Sequence, residues 1–137
     1  MTTRPHAAGI DLAGVARWMD GYVAAWSSNA PDEIRSLFTD DARYYVVPTA
    51  DPWVGPDQIA ARWAEIADEP GTWTFRYEPL ALAGDLAFVR ARTIYDRDPP
   101  GSYENLFVIR FAADERCAEF TEWYEKHESR PRTGERV

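Results

Sequence analysis

With 137 residues, the chain has room for one domain with a real core and little more. Its 23 acidic residues against 15 basic ones give a net charge of -8, which repels a phosphate backbone and excludes nucleic acid as an expected partner. No apolar run approaches the ~20 residues of a membrane span, the start MTTRPHAAG lacks the apolar centre of a signal peptide, and the single cysteine, Cys117, forbids an intrachain disulfide.

A cytoplasmic single domain spanning residues 1–137 is therefore expected, folded over roughly residues 10 to 127 with loose termini. The basic tail Arg130, Arg132 and Arg136 is interleaved with Pro131 and Gly134 and reads as a solvated end. Asp11 is placed to cap a helix in which Leu12, Val15, Met19, Tyr22, Val23 and Trp26 recur at helical spacing, with Trp18 widening the stripe. Ser27, Ser28 and Asn29 end it. Pro31, Asp32 and Glu33 then open a short second helix running through Phe38. Thr39, Asp40 and Asp41 read as a turn into a strand from Ala42 to Val47, stopped by Pro48. Gly55 and Pro56 open a third helix whose Ile59, Trp63 and Ile66 share a face, before Pro70 and Gly71 break the pattern.

Residues 72 to 126 read as antiparallel strands. A two-residue turn at Gly84 and Asp85 pairs Ala83 with Leu86. Carried outward without interruption, that register puts Arg76, Glu78, Leu80, Leu82, Ala87, Val89, Ala91, Thr93 and Tyr95 on one face. Phe75, Tyr77, Ala81, Phe88, Arg90, Arg92 and Ile94 fall on the other. The second hairpin, around Asp114 and Glu115, is registered by setting Arg110 opposite Glu119 so that neither charge is stranded. Ile109 then meets Phe120, Phe107 meets Glu122, and Asn105 meets Tyr124, while Leu106 with Trp123 and Val108 with Thr121 lie on the reverse face.

The order of these elements, with the segments WMDGYVAAWSSNAPDEIRSLFTDDARYYVVP, VGPDQIAARW, GTWTFRYEP and CAEFTEWYEKH, resembles the nuclear transport factor 2-like superfamily, and more closely its SnoaL-like small proteins. The resemblance implies an α+β fold, a cone-shaped barrel of strongly curved antiparallel sheet wrapped around three N-terminal helices. It also implies a pocket between the first helix and the concave sheet face, and pairing as a homodimer through the outer face. Related enzymes include ketosteroid isomerases, scytalone dehydratase, limonene epoxide hydrolase and polyketide cyclases, which act on apolar substrates without a metal. Other relatives only bind. The general-base aspartate of the ketosteroid isomerases has no counterpart here, because the matching strand reads Ala42, Arg43, Tyr44, Tyr45.

The chain carries 6 Trp, 7 Tyr and 6 Phe, more ring surface than a minimal core requires, which points to a lined pocket. Glu122 and Glu78 are the carboxylates that these registers place on apolar strand faces, where desolvation raises a carboxyl pKa toward the range useful for proton transfer. For Glu78 the alternative is a pair with Arg76 or Arg92. For Glu122 it is an arginine or a water at a dimer seam. Glu122 is the expected acid or base and Tyr22 the expected hydrogen-bond donor to developing charge. Trp26, Tyr44, Trp53, Trp63, Glu78, Tyr95, Asn105, Phe107 and Tyr124 are the expected substrate-binding residues. His6 and His127 are terminal and complete no ligand set, so no metal and no cofactor are expected. The reading is an isomerase, dehydratase or cyclase acting on an unidentified small apolar molecule. The alternative is a non-catalytic ligand-binding or dimeric interaction domain.

Overall fold

The first helix begins where its cap is. Asp11 sits in extended backbone and its Oδ1 accepts from the Gly14 N–H at 2.8 Å, satisfying one of the donors that a helix start leaves unpaired. In the computed structural model, which describes residues 9–69, 71–96 and 101–127, helix α1 runs Leu12–Ser28 and stops at Asn29, whose positive φ of 54° turns the chain out of the helix. The expectations for the loose start with His6, for Pro70 and for the basic tail lie outside the described residues. Helix α2 is Pro31–Arg35 and α3 is Pro56–Glu65, each with proline in its first turn. Gly55, immediately before α3, has φ +84°, and a Cβ there would lie 3.3 Å from the Asp40 carbonyl oxygen; both facts favour glycine.

Six strands follow this order: β1 Phe38–Tyr45, β2 Trp53–Val54, β3 Trp73–Ala83, β4 Leu86–Tyr95, β5 Gly101–Phe111 and β6 Cys117–His127. They form one sheet in the order β2-β1-β6-β5-β4-β3. The meander from β3 to β6 is antiparallel throughout, as the hairpin patterns predict. The sheet as a whole is mixed, because β1 runs parallel to β6, and it stays open with β2 and β3 as its edges. The architecture is a cone-shaped α+β fold with α1 against the inner sheet face. Among the described residues no helix is long and apolar enough to cross a membrane.

Three expectations are corrected here. The second helix ends at Arg35 rather than Phe38, and β1 begins at Phe38 rather than Ala42. Phe38 is fully buried and pairs with Cys117, whose N–H donates to the Leu37 carbonyl at 2.8 Å, so the strand starts ahead of Thr39, Asp40 and Asp41, which fall in an irregularity of the β1–β6 ladder between Phe38 and Arg43. Ile66 lies past the end of α3 and is 63% exposed, so it does not share the buried face of Ile59 and Trp63. The third correction is in β3. Ala83 pairs with Leu86 as expected, but Pro79 pairs with Val89 while Ala81 pairs with Phe88, leaving Leu80 as an extra residue. This bulge shifts every residue before it by one place. Phe75 and Tyr77 therefore join Ala87, Val89, Ala91 and Thr93 on the inner face, and Arg76 and Glu78 turn outward.

The β5–β6 register is the expected one, with Phe107 opposite Glu122, Asn105 opposite Tyr124 and Arg110 opposite Glu119. Arg110 nevertheless bonds Asp85 at 2.7 Å. Cys117 is buried and its thiol is pushed up by that burial, in keeping with a structural role. At the centre of the core Phe120 is fully buried, with ring centroids 6.1 Å from Trp18, 5.6 Å from Tyr22, 4.5 Å from Tyr44 and 4.9 Å from Phe107. Phe120→Ala removes these contacts at once and is expected to lower unfolding free energy by about 3–5 kcal/mol. Urea denaturation followed by tryptophan fluorescence measures it, and a loss under about 1 kcal/mol would contradict this packing.

Candidate functional site

Helical spacing puts Tyr22 and Trp26 one turn apart on α1, both facing the inner sheet. Tyr22 is buried and its ring stacks on Phe120, while Trp26 stacks on Trp73 at 3.8 Å. Across from them β1 supplies Tyr44, with Trp53 of β2 stacked on it at 5.0 Å and 7°. Trp63 of α3 meets Tyr22 edge-on at 5.4 Å. Tyr22, Trp26, Tyr44, Trp53 and Trp63 border a half-open cavity of about 330 Å³ whose sheet wall is Phe75 from β3, Thr93 and Tyr95 from β4, Tyr103, Asn105 and Phe107 from β5, and Glu122 and Tyr124 from β6. That volume suits a small organic molecule.

The polar part is a short chain of hydrogen bonds. The Thr93 hydroxyl donates to Asn105 Oδ1 at 3.0 Å, and Asn105 Nδ2 donates to Glu122 Oε2 at 2.6 Å. Thr93 and Asn105 are buried, while Glu122 is half-buried with its carboxyl at the cavity. With both of its ends engaged, the amide holds Glu122 in one orientation. Burial pushes the Glu122 carboxyl up to about 7, against the opposing pull of the Asn105 hydrogen bond. At neutral pH this group can therefore both give and take a proton.

Two phenols face the same space. Tyr22 and Tyr44 place their hydroxyl oxygens 3.4 Å apart. Burial, the neighbouring phenol and the Glu122 charge raise Tyr22 far above its ordinary value. Burial and the Glu122 charge do the same for Tyr44. Both stay protonated at any ordinary pH. Whichever donates to the other, one hydroxyl proton is left to meet an occupant of the cavity.

Of the residues that sequence reading assigned to a site, Tyr22, Trp26, Tyr44, Trp53, Trp63, Tyr95, Asn105, Phe107, Glu122 and Tyr124 all line this cavity. Glu78 does not. The Leu80 bulge turns it to the outer face, where its exposed carboxylate accepts from Arg90 at 3.1 Å, and not from Arg76 or Arg92. Sequence reasoning missed Phe75, which the unbulged register sends to the wrong face. It also missed Thr93, whose link to Asn105 needs the β4–β5 register. Asp68, on the cavity rim after α3, accepts from Trp26 Nε1 at 3.2 Å and has no pattern in sequence to mark it. Among the described residues no cluster of three or more His, Cys, Asp or Glu is placed to hold a metal.

The raised Glu122 carboxyl has a consequence for stability. The unfolded chain releases this proton near the ordinary value of 4.5 and the folded chain near about 7. Between those values the folded state holds more protons, so stability from this group is greatest at low pH and falls as pH rises to about 7. Glu122→Gln keeps an oxygen for Asn105 and removes the ionisation. It is expected to flatten that slope and to raise unfolding free energy at about pH 8 by on the order of 1–3 kcal/mol. Urea titrations at about pH 5 and about pH 8 measure it; a variant less stable than the parent at the higher pH would contradict the desolvation account.

Among curated proteins, none matches the chain by sequence. Its fold is similar to an NTF-2 like protein of unknown function from Burkholderia xenovorans (TM-score 0.67, 11% identity, 88% of this chain and 89% of that one). It is similar also to a protein of unknown function with a cystatin-like fold from Methylobium petroleophilum (TM-score 0.66, 16% identity, 93% and 85% coverage). A third neighbour is a ketosteroid isomerase-like protein from Erwinia carotovora atroseptica (TM-score 0.61, 21% identity, 82% and 95% coverage). At these identities the likeness is one of fold. The SnoaL-like domain model matches residues 19–120, most of the chain and nearly all of the cavity wall, and the chain belongs to that family of the NTF2-like superfamily.

Proposed function

We propose that the chain is an acid-base catalyst acting on a small, largely apolar molecule, with Glu122 as the group that moves the proton. The observation that carries this reading is the Asn105–Glu122 hydrogen bond at the wall of an aromatic cavity, which orients a carboxyl whose pKa lies at about 7. The Tyr22–Tyr44 hydroxyl pair supplies one hydrogen bond to charge that develops on the substrate. The remaining rings exclude water and shape the site. The ketosteroid isomerase-like description of one structural neighbour is in keeping with proton transfer on an apolar substrate.

Nitrobenzisoxazole tests this without knowledge of the natural substrate. A carboxylate removes its C–H proton, the ring N–O bond breaks, and a coloured cyanophenolate leaves. The rate is expected to rise with pH around a midpoint of about 7 and to be lost in Glu122→Gln while the variant stays folded. A parent rate no greater than that of Glu122→Gln would favour the non-catalytic binding reading.

We further propose a homodimer formed by the outer sheet face. Ile94 and Trp123 are 46% and 53% exposed there, beside half-buried Leu106 and Val108 and flanked by the Arg90–Glu78 and Arg92–Glu104 ion pairs. Sedimentation at micromolar concentration is expected to give a dimer that Trp123→Arg dissociates; a monomeric parent would refute it.

A further inference from the structure

Every ion pair found among the described residues joins exposed side chains, and none of them lines the cavity. The described lining holds two carboxylates, Glu122 and Asp68, and no arginine, lysine or histidine. Both carboxylates accept from neutral donors, Glu122 from the Asn105 amide and Asp68 from the Trp26 indole. Neither brings a counter-charge. A carboxylate partly withdrawn from water is costly until a cation meets it. The walls around Glu122 are the rings of Tyr, Trp and Phe, whose faces carry partial negative charge and attract cations as well.

The other titratable groups of the lining give the same sign. Tyr22 comes from α1, Tyr44 from β1, Tyr95 from β4, Tyr103 from β5 and Tyr124 from β6, with Asp68 beyond α3; not one becomes positive at any pH. An anion entering this space would meet Asp68 at the rim and, as pH rises through about 7, an ionised Glu122 as well, with no cationic lining residue to offset them. The net charge of -8 draws cations toward the molecule as a whole.

We propose that the cavity takes an organic cation, an amine or quaternary ammonium carried on an apolar body, with its charged nitrogen against Glu122 and its carbon substituents against the ring walls. This rests on the reading of the cavity as a ligand site and names the class of molecule that fits it. At about 330 Å³ the space admits a substituted nitrogen and one ring. A cation beside Glu122 lowers the affinity of that carboxyl for its proton. Binding therefore releases a proton and tightens as pH rises through about 7.

The test compares two molecules of one shape. para-tert-Butylbenzyl alcohol is neutral, and its trimethylammonium counterpart differs by a positive nitrogen in place of the quaternary carbon. Calorimetric titrations at about pH 6 and about pH 8 use the full chain and its Glu122→Gln variant, with the melting temperature of the variant as the folding control. The cation is expected to bind about tenfold or more tighter than the neutral molecule at the higher pH, with a smaller advantage at the lower one. Glu122→Gln is expected to lose that advantage while still binding the neutral molecule. Equal or tighter binding of the neutral molecule to the parent at about pH 8, or no binding of the cation at millimolar concentration, would overturn the proposal. Loss of nitrobenzisoxazole turnover in Glu122→Gln would stand in either case, so the charge preference and the proton-transfer reading fail separately.

Discussion

Ring packing around Phe120 is the constraint from which the rest of the molecule follows. One side chain on β6 touches Trp18 and Tyr22 of α1, Tyr44 of β1 and Phe107 of β5, so it joins the helix layer to three strands. Trp18 adds a second tie, its Nε1 donating to the Leu37 carbonyl at 3.0 Å just before β1 begins. Aromatic pairs of this kind add specific geometry to the area they bury, which fixes angle as well as distance. The cavity begins where this packing ends, two residues along β6 at Glu122 and one turn along α1 at Trp26. Core and site are one continuous set of rings, filled at one end and open at the other.

That continuity explains how a costly carboxyl is kept in place. Phe107 sits directly across from Glu122, and Asn105 is its neighbour on the same face of β5. The strand that provides the apolar wall also provides the amide, and Thr93 on β4 fixes that amide from behind. A hydrogen-bond chain of neutral groups orients the acid without neutralising it. An arginine in the place of Asn105 would have stabilised the ionised form and drawn the carboxyl pKa down, away from the range where one group can act in both directions.

Much of this was legible in the chain before any coordinates. Asp11, Asn29, Pro31 and Pro56 mark helix ends through local chemistry that tertiary structure did not override. The β5–β6 register was legible because Arg110 and Glu119 demanded each other's position, even though the arginine finally bonds Asp85. Leu80 was not legible, since a bulge has no residue signature in an apolar run, and a single hidden insertion misplaced Phe75 and Glu78 together. The start of β1 is hidden for a different reason. Asp40 and Asp41 are turn formers by local preference, and they fall in the irregular stretch between Phe38 and Arg43, while the distant pairing of Phe38 with Cys117 sets where the strand begins. Asp68 lies in irregular backbone, where periodicity has nothing to say.

The parallel pairing of β1 with β6 bears on the order in which the molecule assembles. The β3–β4 and β5–β6 hairpins close over short turns and can form early, but Tyr44 must wait for Phe120, beyond α3 and the whole meander. On the ribosome the N-terminal helix and β1 emerge first; β2 and β3 can meet them early, but the β6 side of the sheet is made last. Until then Trp18, Tyr22 and Tyr44 lack the Phe120 ring that ties them together. The cavity wall, to which β6 adds Glu122 and Tyr124, is consequently completed last, and a nascent chain stopped short of β6 would hold neither a closed core nor a place for a ligand.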